Sequence, residues 1–159
     1  MSFKVVARPD LPSPLTEELL KEAGIPLVKV PIFTEEDLIQ NVADADAVLV
    51  GGTEPYTARV IREMTQCRVI SRTGIGYNNI DAEEATRQGI PVAIVLDASV
   101  QEVADHAIAF MLAFSRKLFP VAQAVREGRW QAGEPEIIRR RGKLFRLSEQ
   151  TIGIVGVGR

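Results

Sequence analysis

The residues best equipped for chemistry stand in one short run, Arg72-Thr73-Gly74-Ile75-Gly76. Arg72 carries a permanent charge and a planar fork of donors suited to a carboxylate. Gly74 and Gly76 let a backbone turn sharply and leave amide N–H groups exposed. The amides of Ile75 and Gly76 can therefore hold an anion beside the Arg72 guanidinium. On glycine spacing alone, a tight turn without a ligand is an equal reading. A second glycine turn, Gly51-Gly52-Thr53-Glu54-Pro55, also permits close approach of a ligand or of another backbone. Taken alone it reads as a plain loop. If both turns follow strands of one parallel sheet, Gly52 and Thr53 share a rim with Arg72.

Two other sets of residues bear on chemistry. His106 is the only histidine, the residue type suited to acid/base work near neutral pH. It lies mid-helix beside apolar positions without a nucleophile, so a packing or helix-orienting role fits it better than catalysis. The end of the chain, Ile152-Gly153-Ile154-Val155-Gly156-Val157-Gly158-Arg159, runs an apolar segment into G-x-G. A dinucleotide fingerprint starts this way, but it also needs a third glycine, a helix and a later acidic residue.

The elements that must position these residues follow a strand-then-helix rhythm. Apolar, β-branched runs at Phe3–Ala7, Pro26–Val30, Ala47–Val50, Arg68–Ile70 and Pro91–Val95 read as strands covered on both faces. Between them, helices are expected at Thr16–Ala23 with Gly24 as the stop, after Thr34 with Asp37, after Thr57 through Met64, and from Asp81 with Glu84 to Gly89. The pattern predicts right-handed βαβ units and a flavodoxin-like, five-stranded parallel sheet over residues 1–98. A longer helix starts at Ser99, with Glu102 completing a capping box. It carries Val103, Ala107, Phe110, Met111 and Phe114 at helical spacing to about Leu118; Pro120 interrupts the pattern, with helix resuming toward Arg126. Gly128 to Leu147 reads as an irregular surface connection with one helical turn near Ile137, and Thr151–Val155 as a buried strand.

Composition narrows the function classes. The 159 residues are 46% hydrophobic and 25% charged, with a net charge of −2. The pI near 5.5 argues against a broad nucleic-acid surface. The basic run Arg139-Arg140-Arg141 with Lys143 reads as a solvated loop. A single cysteine, Cys67, excludes an intramolecular disulfide and a Cys-rich metal site, and fits a cytoplasmic location. It reads as a small core residue. No apolar run approaches the roughly 18–20 residues of a membrane span, and the start is too weakly apolar for a signal peptide.

In this order the motifs resemble the D-isomer-specific 2-hydroxyacid dehydrogenases, on a phosphoglycerate-dehydrogenase or C-terminal-binding-protein-like branch. The residues carrying the resemblance are Val69 to Asp81, Gly89-Ile90-Pro91-Val92, Ser99 to His106 and Gly153 to Arg159. The resemblance implies a substrate domain over 1–98. Residues 99–159 then supply a crossover helix, a linker and the opening strand of an NAD-binding Rossmann domain that is expected to be truncated. It implies a small 2-hydroxy or 2-oxo acid as substrate and NAD or NADP as coenzyme, with binding of the coenzyme by this chain alone not expected. Arg72, Gly74, Ile75, Gly76, Gly52 and Thr53 match the substrate-carboxylate side. Val103, Gly156, Gly158 and Arg159 match the coenzyme side, and residues 99–119 match a homodimer interface. The family's catalytic Arg, Glu and His lie beyond the fingerprint, so none is expected here and the chain alone is expected to be inactive. The alternative is a standalone carboxylate-binding or corepressor-like dimerising module. An FMN-binding flavodoxin fits poorly, because the loop Arg8 to Pro14 has three prolines where a phosphate cradle needs N–H donors.

Overall fold

The β-branched runs form strands because each lies between ready-made helix boundaries. The computed structural model describes residues 3–97, 99–129 and 144–156, and its chain divides into two units, 1–98 and 99–159. In the first unit, β1 (Val5–Ala7), β2 (Leu27–Lys29), β3 (Ala47–Val50), β4 (Val69–Arg72) and β5 (Val92–Ala93) alternate with α1 (Pro14–Glu22), α2 (Glu35–Val42), α3 (Ala58–Glu63) and α4 (Ala82–Arg87). All neighbouring strands pair in parallel, in the order β2-β1-β3-β4-β5. This is the expected five-stranded sheet: β3 keeps its bounds, β1, β2 and β5 are shorter than expected, and β4 starts one residue later and runs two residues further, to Arg72.

Every helix of this unit is started by its own side chain. Ser13, Thr34, Thr57 and Asp81 accept from the amides of Thr16, Asp37, Val60 and Glu84. At Thr34 the capping box is complete, since Asp37 accepts the Thr34 amide in return. That backbone bond is the main reason the Asp37 carboxyl lies below the usual carboxylate range.

The strand order reverses between β1 and β3. Right-handed crossovers then put α1 on one face and α2, α3 and α4 on the other. The second group packs Leu38, Val42, Val60, Ile61, Met64 and Ala85 against Val6, Val48, Val50 and Ile70, all essentially buried. Cys67 packs against this cluster, donates weakly to the Val69 carbonyl, and has its thiol pKa pushed up by burial. Tyr56 is also wholly buried here, and its hydroxyl has no hydrogen-bond partner among the described residues. Burial pushes its pKa up. A buried hydroxyl without a partner pays desolvation and recovers nothing. Tyr56→Phe is therefore expected to raise the unfolding free energy by about 1 kcal/mol, read from the midpoint of urea denaturation.

On α4, the Glu84 side chain is almost fully buried yet ionised. Gln88, Arg87 and, more weakly, Arg62 donate to its carboxylate and hold its pKa down to about 2 against an ordinary 4.5. A carboxylate depressed in the folded state stabilises above its unfolded pKa and loses that contribution as pH falls through the folded one. Wild-type stability should therefore fall between about pH 4.5 and pH 2, and a Glu84→Gln variant should fall less over this window. Denaturant midpoints measured across it decide the matter.

The described part of the second unit holds α5 (Val100–Ser115), α6 (Leu118–Arg126) and a 3-10 turn at Leu147–Glu149. Three expectations are corrected here. Ser99 makes no side-chain cap: its ψ of 20° lacks the extended geometry, ψ near 160°, that lets Ser13, Thr34 and Thr57 reach forward. The helix breaks at Lys117, which takes a left-handed φ of 55°, and not at Pro120. Pro120 sits in the first turn of α6, where a missing N–H costs little. Thr151–Val155 forms no strand. A strand needs a neighbour for its N–H and C=O groups, and the described part of this unit contains only helical elements, so Ile152, Ile154 and Val155 stay exposed. The turn expected near Ile137 and the basic run 139–143 lie outside the described residues. Among the described residues no single helix is long and apolar enough to cross a membrane; α5 and α6 meet that test only as a pair bent by 67°.

Candidate functional site: an arginine clasped at the carboxyl edge of the sheet

In a sheet whose order reverses, the loops at the carboxyl ends of the two strands flanking the reversal leave a crevice between them. Here those strands are β1 and β3, and their following loops begin at Arg8 and Gly51. The loop after β4 joins them: the Thr73 amide continues the ladder to the Val50 carbonyl at 3.0 Å. The Val95 amide after β5 donates to the Gly74 carbonyl at 3.2 Å. The two glycine turns thus share one edge of the sheet.

Arg72 closes β4 opposite Val50. Period-two alternation puts its side chain on the same face as Ile70, at the point where the helix layer ends. Its Nε donates to the Gly76 carbonyl at 2.7 Å and its Nη1 to Thr73 Oγ1 at 3.4 Å. Nη2 donates to no described residue. The guanidinium lies so close to both turns that a Cβ on Gly74 would come within 2.6 Å of Nη1, and one on Gly52 within 3.3 Å of Nη2. Neither glycine has positive φ. They are glycines here because Arg72 occupies the space of a side chain, not because the turn requires left-handed backbone. At Gly76 a Cβ would meet nothing within 4 Å. The amides of Ile75 and Gly76 donate to no described protein acceptor, and Ile75 is 60% exposed. The site residues named from sequence in this unit, Arg72, Gly74, Ile75, Gly76, Gly52 and Thr53, therefore lie on the rim formed by two adjacent loops.

Sequence reasoning missed the framework beneath them. Glu54 is buried, and its two carboxylate oxygens accept the Gly51 amide at 3.2 Å and the Thr53 amide at 3.1 Å. A Cβ on Gly51 would stand 2.9 Å from that carboxylate, so the first glycine of the pair serves packing. Asn79 Nδ2 donates to the Gly51 carbonyl at 3.2 Å and the Glu54 carbonyl at 2.8 Å. A backbone bridge between Tyr56 and Ile80 runs alongside. Arg8 reaches across the reversal point: Nη1 donates to Thr53 Oγ1 at 2.8 Å, Nε and Nη2 to Asp10, and Glu54 lies 3.7 Å away. Its ring neighbour is Phe33, 5.5 Å beneath. Arg8 had one readable signal, its place directly after the first strand; Glu54 and Asn79 look like ordinary loop residues in the sequence.

The residues named for the coenzyme are not drawn together in the same way. Val103 is 67% exposed on α5. Gly156 has φ +86° with open space around it, while Gly158 and Arg159 lie outside the described residues. With no strand over residues 151–155, the described part of this segment does not fit a dinucleotide cradle. His106 is exposed and meets the ring of Phe110 edge-on at 4.3 Å.

Comparison with known proteins places this architecture. The D-isomer specific 2-hydroxyacid dehydrogenase catalytic domain matches residues 5–151. The D-3-phosphoglycerate dehydrogenase of Methanocaldococcus jannaschii is 34% identical over 149 residues, covering 92% of this chain and 27% of that protein. The glyoxylate reductase of Pyrococcus furiosus is 36% identical over 128 residues, 78% of this chain and 37% of its own length. The chain thus spans well under half of the relatives it matches. A crystal structure of D-lactate dehydrogenase from Aquifex aeolicus, complexed with NAD and lactic acid, superposes with a TM-score of 0.67 over 83% of this chain and 39% of that one. At 20% identity it shows the fold alone. With the family match running from the first strand to the last described segment, the chain belongs to the D-isomer specific 2-hydroxyacid dehydrogenases.

Proposed function

We propose that residues 1–98 form the substrate domain of a dehydrogenase interconverting D-2-hydroxy acids and 2-oxo acids. The Arg72–Gly76 loop grips the substrate carboxylate. The observation carrying this reading is the Arg72 guanidinium, clasped between Gly52 and Gly74 with Nη2 uncommitted and the Ile75 and Gly76 amides beside it. Charge-assisted bonds from an arginine and fixed amides recognise a planar carboxylate without rearranging first. Thr53 borders the same rim and faces the rest of the substrate.

A nicotinamide coenzyme, NAD or NADP, would supply the hydride chemistry of such a reaction. Residues 99–159 contribute the crossover helix and the opening of the coenzyme domain, with Val103, Gly156, Gly158 and Arg159 as its contacts. Since residues 151–155 carry no strand, binding of the coenzyme by this chain alone is not expected. The role assigned to residues 1–98 is to bind and orient the acid.

Oxalate, a stable planar mimic of a 2-oxo acid, tests the reading. Titration calorimetry of the chain should show saturable heat at millimolar oxalate, and the same protein should oxidise no NADH with glyoxylate or hydroxypyruvate. Absence of oxalate binding would remove the carboxylate site from this unit. A second copy pairing through residues 99–119 is the proposed assembly, favoured by the exposure of Val103, Phe110 and Phe114 at 67%, 47% and 67%. Sedimentation at increasing concentration reports it.

A further inference from the structure

The relatives differ in what the acid carries: one is named for a phosphorylated substrate, another for a bare two-carbon acid. The rim of this chain is built to discriminate between them. Two guanidinium groups flank the Gly52–Thr53 dipeptide, Arg72 against Gly52 and Arg8 against Thr53. They are not equivalent. Arg72 has no acidic partner within 4.0 Å among the described residues. Arg8 is held by Asp10 through two bonds of 2.6 and 3.0 Å, with the Glu54 carboxylate 3.7 Å away. One positive charge therefore faces two negative ones at the crevice where the strand order reverses.

Among the described residues of this unit, the neighbouring cations and helix starts are already engaged. Lys29, at the end of β2, is paired with Glu17, and Arg59 with Glu36. The helix starts nearest this edge use their own side chains as caps, and α2 opens with Glu35, Glu36 and Asp37. A helix start can hold an anion only through amides that are free and not already facing carboxylates.

Building on the carboxylate site proposed above, we infer that this rim selects 2-hydroxy or 2-oxo acids with an uncharged substituent and rejects phosphorylated ones. Asp10, together with Glu54, sets the preference by neutralising Arg8. The carboxylate goes to Arg72. The substituent at the Thr53 end meets a net negative charge, tolerable for hydrogen, methyl or hydroxymethyl and repulsive for a phosphate dianion.

D-glycerate and 3-phospho-D-glycerate differ only in the phosphate, and calorimetric titration of the chain with each is the test. D-glycerate should bind, and 3-phospho-D-glycerate should bind at least about tenfold more weakly. Asp10 is 65% exposed, so Asp10→Asn spares the fold. It should bring the phosphorylated ligand to within about threefold of glycerate, with glycerate itself shifting by less than the phosphorylated acid does. Raising the ionic strength should also narrow the wild-type gap, because repulsion between exposed charges is screened. Equal or tighter binding of 3-phospho-D-glycerate by the wild type would overturn the inference and leave the carboxylate site standing. A gap that Asp10→Asn does not move would overturn it in the same way. Failure of both ligands to bind would overturn the carboxylate site, and the selectivity with it.

Discussion

Replacing Arg72 with methionine should weaken oxalate binding by about 30- to 150-fold, equivalent to ~2–3 kcal/mol, with little change in thermal stability. The guanidinium is the only cation at the rim without an acidic partner among the described residues, and hydrogen bonds to charged groups are worth more than neutral ones. Stability should hold because Arg72 is half-buried at the edge, outside the cluster formed by Val6, Val48, Val50 and Ile70. Methionine has similar length and reach along the same surface. Arg72→Lys should fall between the two: it keeps the charge but loses the planar fork and with it the Nε bond that curls the loop onto Gly76. Gly74→Ala should act through the same group, since the added methyl would press on Nη1 and displace the side chain without removing it. If Arg72→Met binds oxalate as tightly as the wild type, the anion is held elsewhere and the proposed function fails.

The sheet could be read before any coordinates because its information is local. β-branched runs and self-capping residues such as Thr34 with Asp37 act over a few positions, and crossover handedness supplies the rest. The two glycine turns could be assigned to one rim for the same reason: parallel strands deliver all their following loops to one edge. What could not be read depends on contacts across long sequence separations. Nothing in the string shows that Arg8 will meet Thr53 or that Asn79 will tie down Gly51 and Glu54. The glycines were legible as residues but not as reasons. At Gly51, Gly52 and Gly74 the pattern suggests unusual backbone, whereas the structure shows no positive φ and a neighbouring side chain close to where Cβ would stand; at Gly76 that space is open. The opposite failure occurs at Thr151–Val155, where local propensity for a strand is overridden because no described element of its unit offers a partner.

Glu54→Ala should be the most destabilising change at the site, by about 3 kcal/mol, because it leaves two loop amides without their acceptor. The carboxylate satisfies two loop amides, at Gly51 and Thr53, and balances Arg8, which is itself only 14% exposed. Alanine would leave the two amides without acceptors and Arg8 facing Asp10 alone. For a unit of this size the loss corresponds to a fall in Tm of roughly 15 °C. Glu54→Gln should cost less. Its carbonyl oxygen can still accept one amide, but its NH2 group then confronts the other, so one bond becomes a donor–donor clash. Oxalate affinity should follow stability only in part: the Gly51–Thr53 loop loosens, while Arg72 keeps its bonds to Thr73 and Gly76. This separates the two residues by what they do, Arg72 touching the anion and Glu54 fixing the turn against which it binds. A Glu54→Ala protein that unfolds within about 1 kcal/mol of the wild type would mean that Asn79 and the Tyr56–Ile80 bridge hold the loop without it.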